Sequence, residues 1–359
     1  MKAKEVLEKI EENGFEAYIV GGYVRDYVLG YESNDIDICT NARVKDILAI
    51  FNDVNAYSDY YGNVKITTNK EVYDITTYRR DLRYNGDRKK VEIEYVDNLL
   101  EDIKRRDFTM NTLCMNKDGS IIDLMDGQED IKNKVIRCVG SIDERISEDP
   151  LRMLRAVRFA TILGFKIDEE LYEKLRDNKE LINQLSMERI KEELTKILVS
   201  KNSLVGPEMF RDLGYLPYLG IDYTKIVNVD DICGMYSQLE FSKEYPFTKE
   251  ERELIEKIKK IINYGKIDKN ILFEYGLYIS IVAGSILGLD RETIVGIDKS
   301  LEIKSIKDIN ITSEEICNVL NVEPSKIIRE VYNELKDRIL AGELENDNEI
   351  IKEFIRKMW

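Results

Sequence analysis

A short segment near the N-terminus, GGYVRDYVLGYESNDIDICT, combines residue types that could do chemistry on phosphates. It begins with Gly21 and Gly22, continues with Arg25, and ends with the carboxylates of Asp35 and Asp37. Glycine lets backbone N–H groups approach a phosphate closely, and a nearby arginine adds positive charge. Neighbouring carboxylates repel each other unless a cation lies between them, and Mg²⁺ prefers such oxygen ligands. The segment is therefore predicted to bind a metal and a phosphate.

The two aspartates are predicted to lie on a short β-strand and to share one of its faces. Side chains alternate along a strand with a period of two, so DIDIC places Asp35 and Asp37 on one face and Ile36 on the other. An isolated Asp-x-Asp is more often an exposed edge strand than a metal site. The glycine pair and the arginine ahead of it favour the metal.

A third carboxylate, Asp74, lies in EVYDITTYRR, whose β-branched and aromatic residues predict a strand that could pair beside the first. Three carboxylates could hold two metal ions, which activate a hydroxyl and stabilise a leaving pyrophosphate. The chain contains no histidine, so this chemistry cannot use an imidazole base or a histidine ligand. Nucleophiles activated by histidine are excluded as well.

The whole chain has the composition of an ordered globular protein. Its 359 residues predict two to three domains at ~150 residues each. Five scattered cysteines favour a reducing compartment, and no apolar run reaches the ~18 residues that a membrane span needs. The N-terminal residues show no signal peptide, so a cytoplasmic protein is expected. The formal net charge of -15 argues against general nucleic-acid binding but does not exclude a local basic patch.

Such a patch is predicted in SEDPLRMLRAVRF, where Asp149, Arg152, Arg155 and Arg158 recur every three residues. On a helix they form a stripe of one acid and three cations. Asp149 before Pro150 could also simply begin the helix. An Asp accepts from an exocyclic amino group and an Arg donates to a ring nitrogen, a pattern that cytosine and adenine match and guanine and uracil do not. Asp149 and Arg152 could therefore admit CTP and ATP.

Four segments together resemble those of the class II tRNA nucleotidyltransferases, the family of bacterial CCA-adding enzymes and their poly(A) polymerase relatives. They are GGYVRDYVLGYESNDIDICT, RRDFTMNTL, SEDPLRMLRAVRFATILGF and MERIKEELTKIL, in the order in which the family carries them. The resemblance implies an α+β fold with an N-terminal nucleotidyltransferase head, built on a mixed β-sheet and helices, and an all-helical neck, body and tail. The implied domains are a catalytic head at 1–138, a base-recognising neck at 139–200, a body at 201–300 and a tRNA-binding tail at 301–359.

The resemblance also implies roles for individual residues. Asp35 and Asp37 would bind two Mg²⁺ ions, and Asp74 stands where the family carries a third catalytic acid. Asp149 and Arg152, within the motif EDxxR, would select the base. The complete set of implied nucleotide-binding residues is Gly21, Gly22, Arg25, Arg106, Asp107, Asn111, Glu148, Asp149, Arg152, Arg155 and Arg158.

Two further segments bear on the resemblance. RRDLRYNGDRKKVEIEYV is similar to the flexible loop of complete CCA-adding members, with Tyr84, Asp87 and Arg88 in a YxxDR pattern. The family shortens this loop in enzymes that add only CC, so its length favours complete addition. In MERIKEELTKIL, Glu188, Arg189 and Glu193 would support the nucleotide-binding helix, although an amphipathic helix with surface ion pairs explains that pattern at least as well.

By resemblance, the chain is an enzyme, a CCA-adding tRNA nucleotidyltransferase. A tRNA 3′-hydroxyl would attack the α-phosphate of CTP twice and of ATP once, without a nucleic-acid template, and pyrophosphate would leave. The tRNA would be bound by its acceptor arm and elbow, largely through shape and phosphate. Neither a membrane nor a protein partner is expected.

Several alternatives remain open. Poly(A) polymerases share the head motifs, and CC-only or A-only tRNA nucleotidyltransferases share most of the site. A catalytically silent tRNA-binding protein would have no use for Asp35 and Asp37, since carboxylates without metal repel phosphate. A small-molecule nucleotidyltransferase would share the Asp-x-Asp chemistry but would not need Asp149 and Arg152.

Overall fold

The structure, a computed structural model, describes residues 2–52, 54–68, 71–82 and 93–359. The chain forms two compact units, Met1–Gly220 and Ile221–Trp359. The predicted flexible-loop residues Tyr84, Asp87 and Arg88 lie outside the described residues, so their role stays a prediction. The division into four domains also stays a prediction.

The first unit contains a mixed β-sheet with helices around it, as the sequence predicts. The sheet has seven strands in the order β3-β4-β5-β2-β1-β8-β9, and β2 and β5 run parallel while the other neighbours are antiparallel. Two small two-stranded sheets, β6-β7 and β10-β11, complete it. The strands are β1 (Ala17–Val20), β2 (Ile36–Thr40), β3 (Val54–Ser58), β4 (Asn63–Thr68), β5 (Glu71–Thr77), β6 (Arg79–Asp81), β7 (Ile93–Tyr95), β8 (Cys114–Met115), β9 (Ile121–Ile122), β10 (Val135–Ile136) and β11 (Lys166–Ile167).

The two faces of the sheet differ because alternate residues face opposite sides. On one face, Ile38 of β2 lies opposite Ile19 of β1 and Ile75 of β5, and all three are buried. On the other face, Asp37 lies opposite Asp74. The predicted alternation of DIDIC is therefore confirmed for β2, with Asp35 directly ahead of the strand. One face forms core, and the other carries the carboxylates where β2 begins, while Cys39 further along that second face is buried in a separate hydrophobic cluster.

The helices of the first unit cover the sheet and continue beyond it. The first helix buries Val6, Leu7 and Ile10, and its C-cap residue Asn13 is followed by Gly14, which has a φ of 85°. The helices are α1 (Ala3–Glu12), α2 (Gly22–Leu29), α3 (Val44–Ile50), α4 (Leu99–Lys104), α5 (Gly127–Asn133), α6 (Ile142–Glu148), α7 (Leu151–Leu163), α8 (Glu169–Asp177), α9 (Met187–Leu198), α10 (Val205–Asp212) and α11 (Leu216–Leu219).

The helix α7 begins where the sequence predicts a helix start. The backbone N–H of Leu151 donates to Asp149 Oδ1 at 3.2 Å, so Asp149 satisfies one of the otherwise unpaired donors of the first turn. The buried face of α7 includes Met153, Leu154 and Val157, and α7 contacts α9. The arginine stripe is left on the remaining side.

The second unit is largely helical, as predicted for the C-terminal part of the chain. In α17 (Lys326–Ala341), Val331, Leu335 and Ile339 are buried and lie on one side of the helix. Among the described residues, no helix combines the length and hydropathy needed to cross a bilayer. The elements are β12 (Ile221–Asp222), β13 (Glu240–Phe241), α12 (Ile232–Tyr236), α13 (Lys249–Tyr264), α14 (Lys269–Ile286), α15 (Arg291–Lys299), α16 (Ser313–Leu320), α17 (Lys326–Ala341) and α18 (Asn348–Met358).

Candidate active site

A cavity of about 690 Å³ in the first unit brings together most of the residues singled out in the sequence. Its walls come from the β1–α2 turn, the start of β2, the segment after α4, and the helices α7 and α9. Of the predicted site residues that the structure describes, Asp74 and Glu148 are not part of its lining. The predicted residues that line it are Gly21, Gly22, Arg25, Asp35, Asp37, Arg106, Asp107, Asn111, Asp149, Arg152, Arg155 and Arg158.

The glycine turn between β1 and α2 requires Gly21. Its φ is 80°, a conformation that residues with a Cβ rarely adopt. A Cβ built there would lie 3.7 Å from Arg106 Nη1 and 3.9 Å from Asp37 Oδ2. The turn therefore brings the backbone close to one cation and one carboxylate, an arrangement that suits the approach of a phosphate.

Behind this turn, four buried or half-buried side chains form a chain of hydrogen bonds. Arg25 Nη1 donates to Asn111 Oδ1 at 2.8 Å, and Asn111 Nδ2 donates to Asp107 Oδ1 at 3.1 Å. Arg155 Nε donates to Asp107 Oδ2 at 2.8 Å. Burial alone would raise the pKa of Asp107, but Arg155 and the hydrogen bonds outweigh it and hold that pKa below its usual range. The carboxylate thus joins α7 to the segment after α4.

A fully buried carboxylate, Asp102 of α4, orients the arginine that faces the glycine turn. Asp102 Oδ2 accepts from Arg106 Nη2 at 3.0 Å, and its Oδ1 accepts from Arg105 Nε at 2.9 Å and from the backbone N–H of Arg79 at 3.2 Å. Burial opposes its ionisation, but Arg105 and Arg106 lower its pKa overall. Asp102 is not among the residues predicted from the sequence, and no local signal would have found it, because Glu101 stands at the same four-residue spacing before Arg105.

Replacing Asp102 is expected to destabilise the first unit. Asp102→Ala removes the partner of two arginines and of one N–H, and breaking a buried ion pair in this way typically costs about 3–5 kcal/mol. The change is measured by calorimetric or chemical unfolding. The control Glu101→Ala removes two partly exposed ion pairs of the same helix, with Arg80 and Lys104, and should cost about 1 kcal/mol or less. Equal losses for the two variants would contradict the role of Asp102.

The stability lost when Asp102 is replaced should be smaller at acidic pH than at neutral pH. Because the pKa of Asp102 is lowered in the folded chain from 3.8, its ionised form stabilises the fold above the unfolded pKa. We expect the stability difference between wild type and Asp102→Asn to be complete at neutral pH and to shrink as the pH falls below about 4. A difference that stays constant across this range would show that charge has no part in it.

Asp35, Asp37 and Asp74 crowd negative charge at the edge of the cavity. Asp37 is open to the cavity, yet the surrounding protein atoms raise the pKa of its carboxyl group to about 6, and the charges of Asp35 and Asp74 add to this. Arg106 and Lys65 act in the opposite direction. Asp37 therefore ionises at a free-energy cost unless a further cation is near.

The same carboxylates fit a cation that a substrate helps to hold. Asp74 Oδ1 is buried and has no hydrogen-bond partner, and a ligand or a metal would satisfy such an atom. Within the described residues, no three side chains of the metal-binding types are arranged to enclose a metal by themselves. Mg²⁺ commonly uses one or two carboxylates together with substrate phosphates. The donor set therefore fits a shared Mg²⁺ site and not a closed protein cage.

At the other end of the cavity, Asp149 and Arg152 are held by neighbouring side chains. Arg189 Nη2 lies 3.1 Å from both carboxylate oxygens of Asp149. Arg152 donates to Glu148 Oε2 at 3.1 Å, to the Arg105 carbonyl at 2.9 Å and to a carbonyl of α6 at 2.9 Å. Glu148 therefore lies behind Arg152 and does not face the cavity. The acid and the cation are both fixed in orientation at the cavity wall.

A buried ion pair and an aromatic ring complete the arginine-rich wall. Arg158 Nη1 donates to Glu193 Oε1 at 3.4 Å, and both residues are buried, so the interpretation of Glu193 as part of a surface ion pair is wrong. The ring of Phe159 lies 5.2 Å from the Arg25 guanidinium, 5.4 Å from that of Arg155 and 4.4 Å from that of Arg158. Phe159 was not predicted, because a phenylalanine on a helix usually indicates core.

Three family models match successive parts of the chain. The Poly A polymerase head domain matches residues 17–137. The "Probable RNA and SrmB- binding site of polymerase A" matches residues 164–222. The tRNA nucleotidyltransferase domain 2 matches residues 237–355. The first match contains the carboxylates and the glycine turn, as the resemblance implies.

Known proteins match over nearly the whole length. The CCA-adding enzyme of Ligilactobacillus salivarius is 34% identical, over 99% of this chain and 96% of that one. Two solved structures share the fold. The Bacillus stearothermophilus CCA-adding enzyme in complex with CTP has a TM-score of 0.83 and 24% identity, covering 99% and 96%. The Thermotoga maritima CCA-adding enzyme complexed with tRNA_CCA has a TM-score of 0.72 and 20% identity, covering 99% and 94%.

The resemblance inferred from the four sequence segments is therefore confirmed by relatives that match from end to end. The chain is an enzyme, and the alternative of a catalytically silent protein is not supported by any of these matches. With this level of identity over almost all of both chains, the protein belongs to the CCA-adding enzyme family of nucleotidyltransferases.

Proposed function

We propose that this chain adds C, C and A in turn to the 3′ end of tRNA, using CTP and ATP and releasing pyrophosphate. The observation that carries the proposal is that one cavity joins the carboxylates of Asp35 and Asp37 to a fixed acid–cation pair, Asp149 and Arg152. A triphosphate would be bound through a metal ion that the two carboxylates hold. A base that carries an amino group would pair with Asp149 and Arg152. The CCA-adding relatives, one bound to CTP and another to tRNA, support the same function.

Base selection in this proposal uses the complementary pattern of Asp149 and Arg152. The Asp149 oxygens accept from the amino group of cytosine or adenine, and a free N–H of Arg152 donates to the adjacent ring nitrogen. Uracil and guanine would direct a carbonyl at Asp149 and a ring N–H at Arg152. Such mispairing of partly buried groups is strongly unfavourable. Because the Arg152 guanidinium is held by Glu148 and two carbonyls, it cannot readily turn away to accommodate the wrong base.

The phosphate end of the cavity supplies charge and donors. Arg25, Arg106 and Arg155, together with the N–H groups of the Gly21 turn, would bind the triphosphate oxygens. Asp35 and Asp37 would hold Mg²⁺, two ions in the full proposal. When bound, these ions would activate the 3′-hydroxyl and stabilise the leaving pyrophosphate.

The transfer step is balanced. The 3′-oxygen of tRNA forms a bond to the α-phosphorus as the bond between that phosphorus and the bridging oxygen breaks, and pyrophosphate leaves with both electrons of the broken bond. The hydroxyl proton leaves the nucleophile in the same step. The half-buried carboxylate of Asp74, which lies opposite Asp37, is available to accept it.

The proposal is tested with tRNA transcripts that end before C74, after C74 and after C75. Each is incubated with purified enzyme, Mg²⁺ and each nucleotide separately and together, beside the double variant Asp35→Ala/Asp37→Ala. Growth by two C and one A that stops there, and that the double variant lacks, is the expected result. A long A tail would instead identify a poly(A) polymerase. A stop after CC, or activity only on the CC-ended transcript, would identify a partial-addition enzyme, and no extension would contradict the proposal.

Arg189 is expected to govern how well the base is read. Arg189→Ala removes the cation that contacts both oxygens of Asp149 and leaves only the Leu151 N–H on Oδ1. The carboxylate is then less firmly oriented, and we expect the ratio of CTP to UTP incorporation to fall about tenfold, as for the loss of one charged hydrogen bond. Single-nucleotide incorporation on the C74-ended transcript measures this ratio. Glu188→Ala, an exposed residue beside it on α9, is the control. An unchanged ratio in Arg189→Ala would contradict the positioning role.

Binding of tRNA by its acceptor arm and elbow belongs to the same proposal, and so does the division into head, neck, body and tail. The helical second unit would contribute body and tail surfaces that read RNA shape through phosphates and 2′-hydroxyls. Because such contacts are electrostatic, the affinity for tRNA should fall steeply with salt.

A further inference from the structure

A second, smaller cavity adjoins the one described above. It has a volume of about 330 Å³ and shares Asp37, Arg105 and Arg106 with the larger cavity. The size lies at the lower end of the ~300–1,000 Å³ that small-molecule sites span. It therefore offers room for a single nucleoside and not for a duplex. Molecules bound in the two cavities would meet at the carboxylate of Asp37.

Strand register fixes the floor of this second cavity. Lys65, Asp74 and Asp37 form one cross-strand row on the polar face of the sheet, since Asp74 lies opposite both of the others. Two residues further along β5, Thr76 lies opposite Asn63, and the period of two keeps this pair on the same face as Asp74. Asn63, Asp74 and Thr76 all line the cavity. An uncharged amide and hydroxyl thus stand directly beside the carboxylate row.

The walls differ in chemistry from the floor. Arg79 and Arg105 line one part, and the side chain of Arg79 donates to the backbone carbonyl of Tyr61 and so holds the β3–β4 turn in place. The ring of Tyr61 is 46% exposed and packs edge-on against Tyr60, with 4.8 Å between ring centroids. An exposed aromatic ring beside cationic side chains is the combination with which proteins bind single-stranded nucleic acid.

We propose that this cavity binds the 3′-terminal nucleoside of the RNA that is extended, and that Thr76 and Asn63 recognise its ribose 2′-hydroxyl. The inference rests on the proposed function and adds to it the residues that select the sugar of the second substrate. A 3′-hydroxyl at Asp37 and Asp74 places its vicinal 2′-hydroxyl one atom further along the ring, toward the neighbouring row of Thr76 and Asn63. The base then stacks on Tyr61, and Arg79 and Arg105 neutralise the terminal phosphodiester.

This arrangement predicts that the enzyme distinguishes an RNA end from a DNA end at the nucleoside being extended, because the 2′-hydroxyl is what separates the two. Thr76 and Asn63, which would make this distinction, are uncharged and lie outside the row formed by Asp37, Asp74 and Lys65. They are therefore separable by mutation from the residues that bind the triphosphate and the metal.

The test is a double-mutant cycle in which one change is made in the enzyme and the other in the substrate. Wild type and Thr76→Val are each assayed, at saturating CTP, on C74-ended tRNA whose terminal ribose carries or lacks the 2′-hydroxyl. Wild type should lose about tenfold in kcat/KM on the 2′-deoxy end, the effect of one hydrogen bond. On the ribose end, the kcat/KM of Thr76→Val should be about tenfold below that of wild type. On the 2′-deoxy end, the two enzymes should have nearly the same kcat/KM, because the contact is already absent. The KM for CTP should stay within about twofold.

The stacking contact is tested separately. Tyr61→Ala should raise the KM for tRNA about tenfold, since stacking on one base contributes ~1–3 kcal/mol, while Tyr61→Phe should retain wild-type behaviour. Tyr57→Ala, an exposed tyrosine of β3 that does not line the cavity, is the matched control. If Tyr57→Ala raises the KM for tRNA as much as Tyr61→Ala does, the assignment of Tyr61 as the stacking residue is overturned.

The outcomes separate this inference from the function on which it rests. If wild type extends tRNA but the loss in kcat/KM caused by Thr76→Val is the same on the ribose end and on the 2′-deoxy end, Thr76 does not recognise the 2′-hydroxyl, and the proposed function stands. Equal rates of wild type on both ends would also overturn the assignment. If wild type extends no tRNA at all, both fall together. Thermal unfolding of each variant verifies that Thr76→Val, which is nearly isosteric, remains folded.

Discussion

Asp37→Asn is expected to abolish nucleotide addition and at the same time to stabilise the metal-free first unit. Activity should fall by more than about a hundredfold, because even outer partners of a metal typically contribute 10–100-fold. Stability should rise because Asp37 lies beside Asp35 and Asp74, and because burial with these charges raises its pKa to about 6 from 3.8. A carboxyl group with a raised folded-state pKa binds its proton more tightly in the folded chain, so its ionisation destabilises the fold.

The sign of the pH dependence follows from that raised pKa. The destabilisation by Asp37 develops as the pH rises from about 4 to about 6 and is complete at neutral pH. The gain in melting temperature of Asp37→Asn, measured in the presence of a chelator, should therefore be largest at pH 7 and shrink toward pH 4. Asp59→Asn, an exposed turn residue of the same unit, should show no gain. If Asp37→Asn is inactive but its melting temperature does not rise, the charge of Asp37 does not destabilise the folded chain.

Magnesium provides the matching experiment. Adding Mg²⁺ and CTP should stabilise the wild type, because a ligand that binds only the folded state raises the free energy of unfolding by RT ln(1 + [L]/Kd). The same addition should stabilise Asp37→Asn much less. An equal effect on both proteins would place the metal away from Asp37.

The parts of the site that follow from local periodicity could be predicted from the sequence. The alternation of DIDIC fixes which face carries Asp37, and three-residue spacing puts Asp149, Arg152, Arg155 and Arg158 along one side of α7, where all four line the cavity. The Gly21 turn was likewise evident, because a glycine pair between a strand and a helix has few other uses. Each of these features depends on residues within about three helical turns of one another.

The partners of these residues could not be predicted, because they are distant along the chain. Arg25 contacts Asn111, which lies 86 residues away, and Asp149 contacts Arg189, 40 residues away. Local patterns carry no information about such pairs, which exist only once the sheet order and the packing of α7 on α9 are known. The full burial of Asp102 is of the same kind, since nothing in its neighbourhood distinguishes it from the partly exposed Glu101.

Asp149→Ala is expected to relax base selection, and this is the largest effect predicted outside the carboxylate cluster. Without the Asp149 oxygens, no acceptor faces the amino group of cytosine or adenine, and the carbonyl of uracil or guanine no longer meets a negative charge. Sites built to hydrogen-bond a substrate reject analogues by up to ~10⁴–10⁵, so the ratio of CTP to UTP incorporation should fall by at least about tenfold. Incorporation of GTP should also rise relative to CTP. Competition between nucleotides on the C74-ended transcript measures these ratios directly.

Asp149 also begins α7, so the variant must be separated from a simple loss of stability. Removing the contact from Leu151 N–H to Asp149 Oδ1 should cost about 1 kcal/mol, as other helix N-caps do. Asp149→Asn keeps a side-chain oxygen that can cap the helix but adds an amide that can donate to a uracil carbonyl. If both variants relax selection and only Asp149→Ala melts earlier, base reading and capping are separate roles of one side chain. If selection is unchanged in both, the base is chosen elsewhere and the pairing of Asp149 and Arg152 with the nucleotide is ruled out.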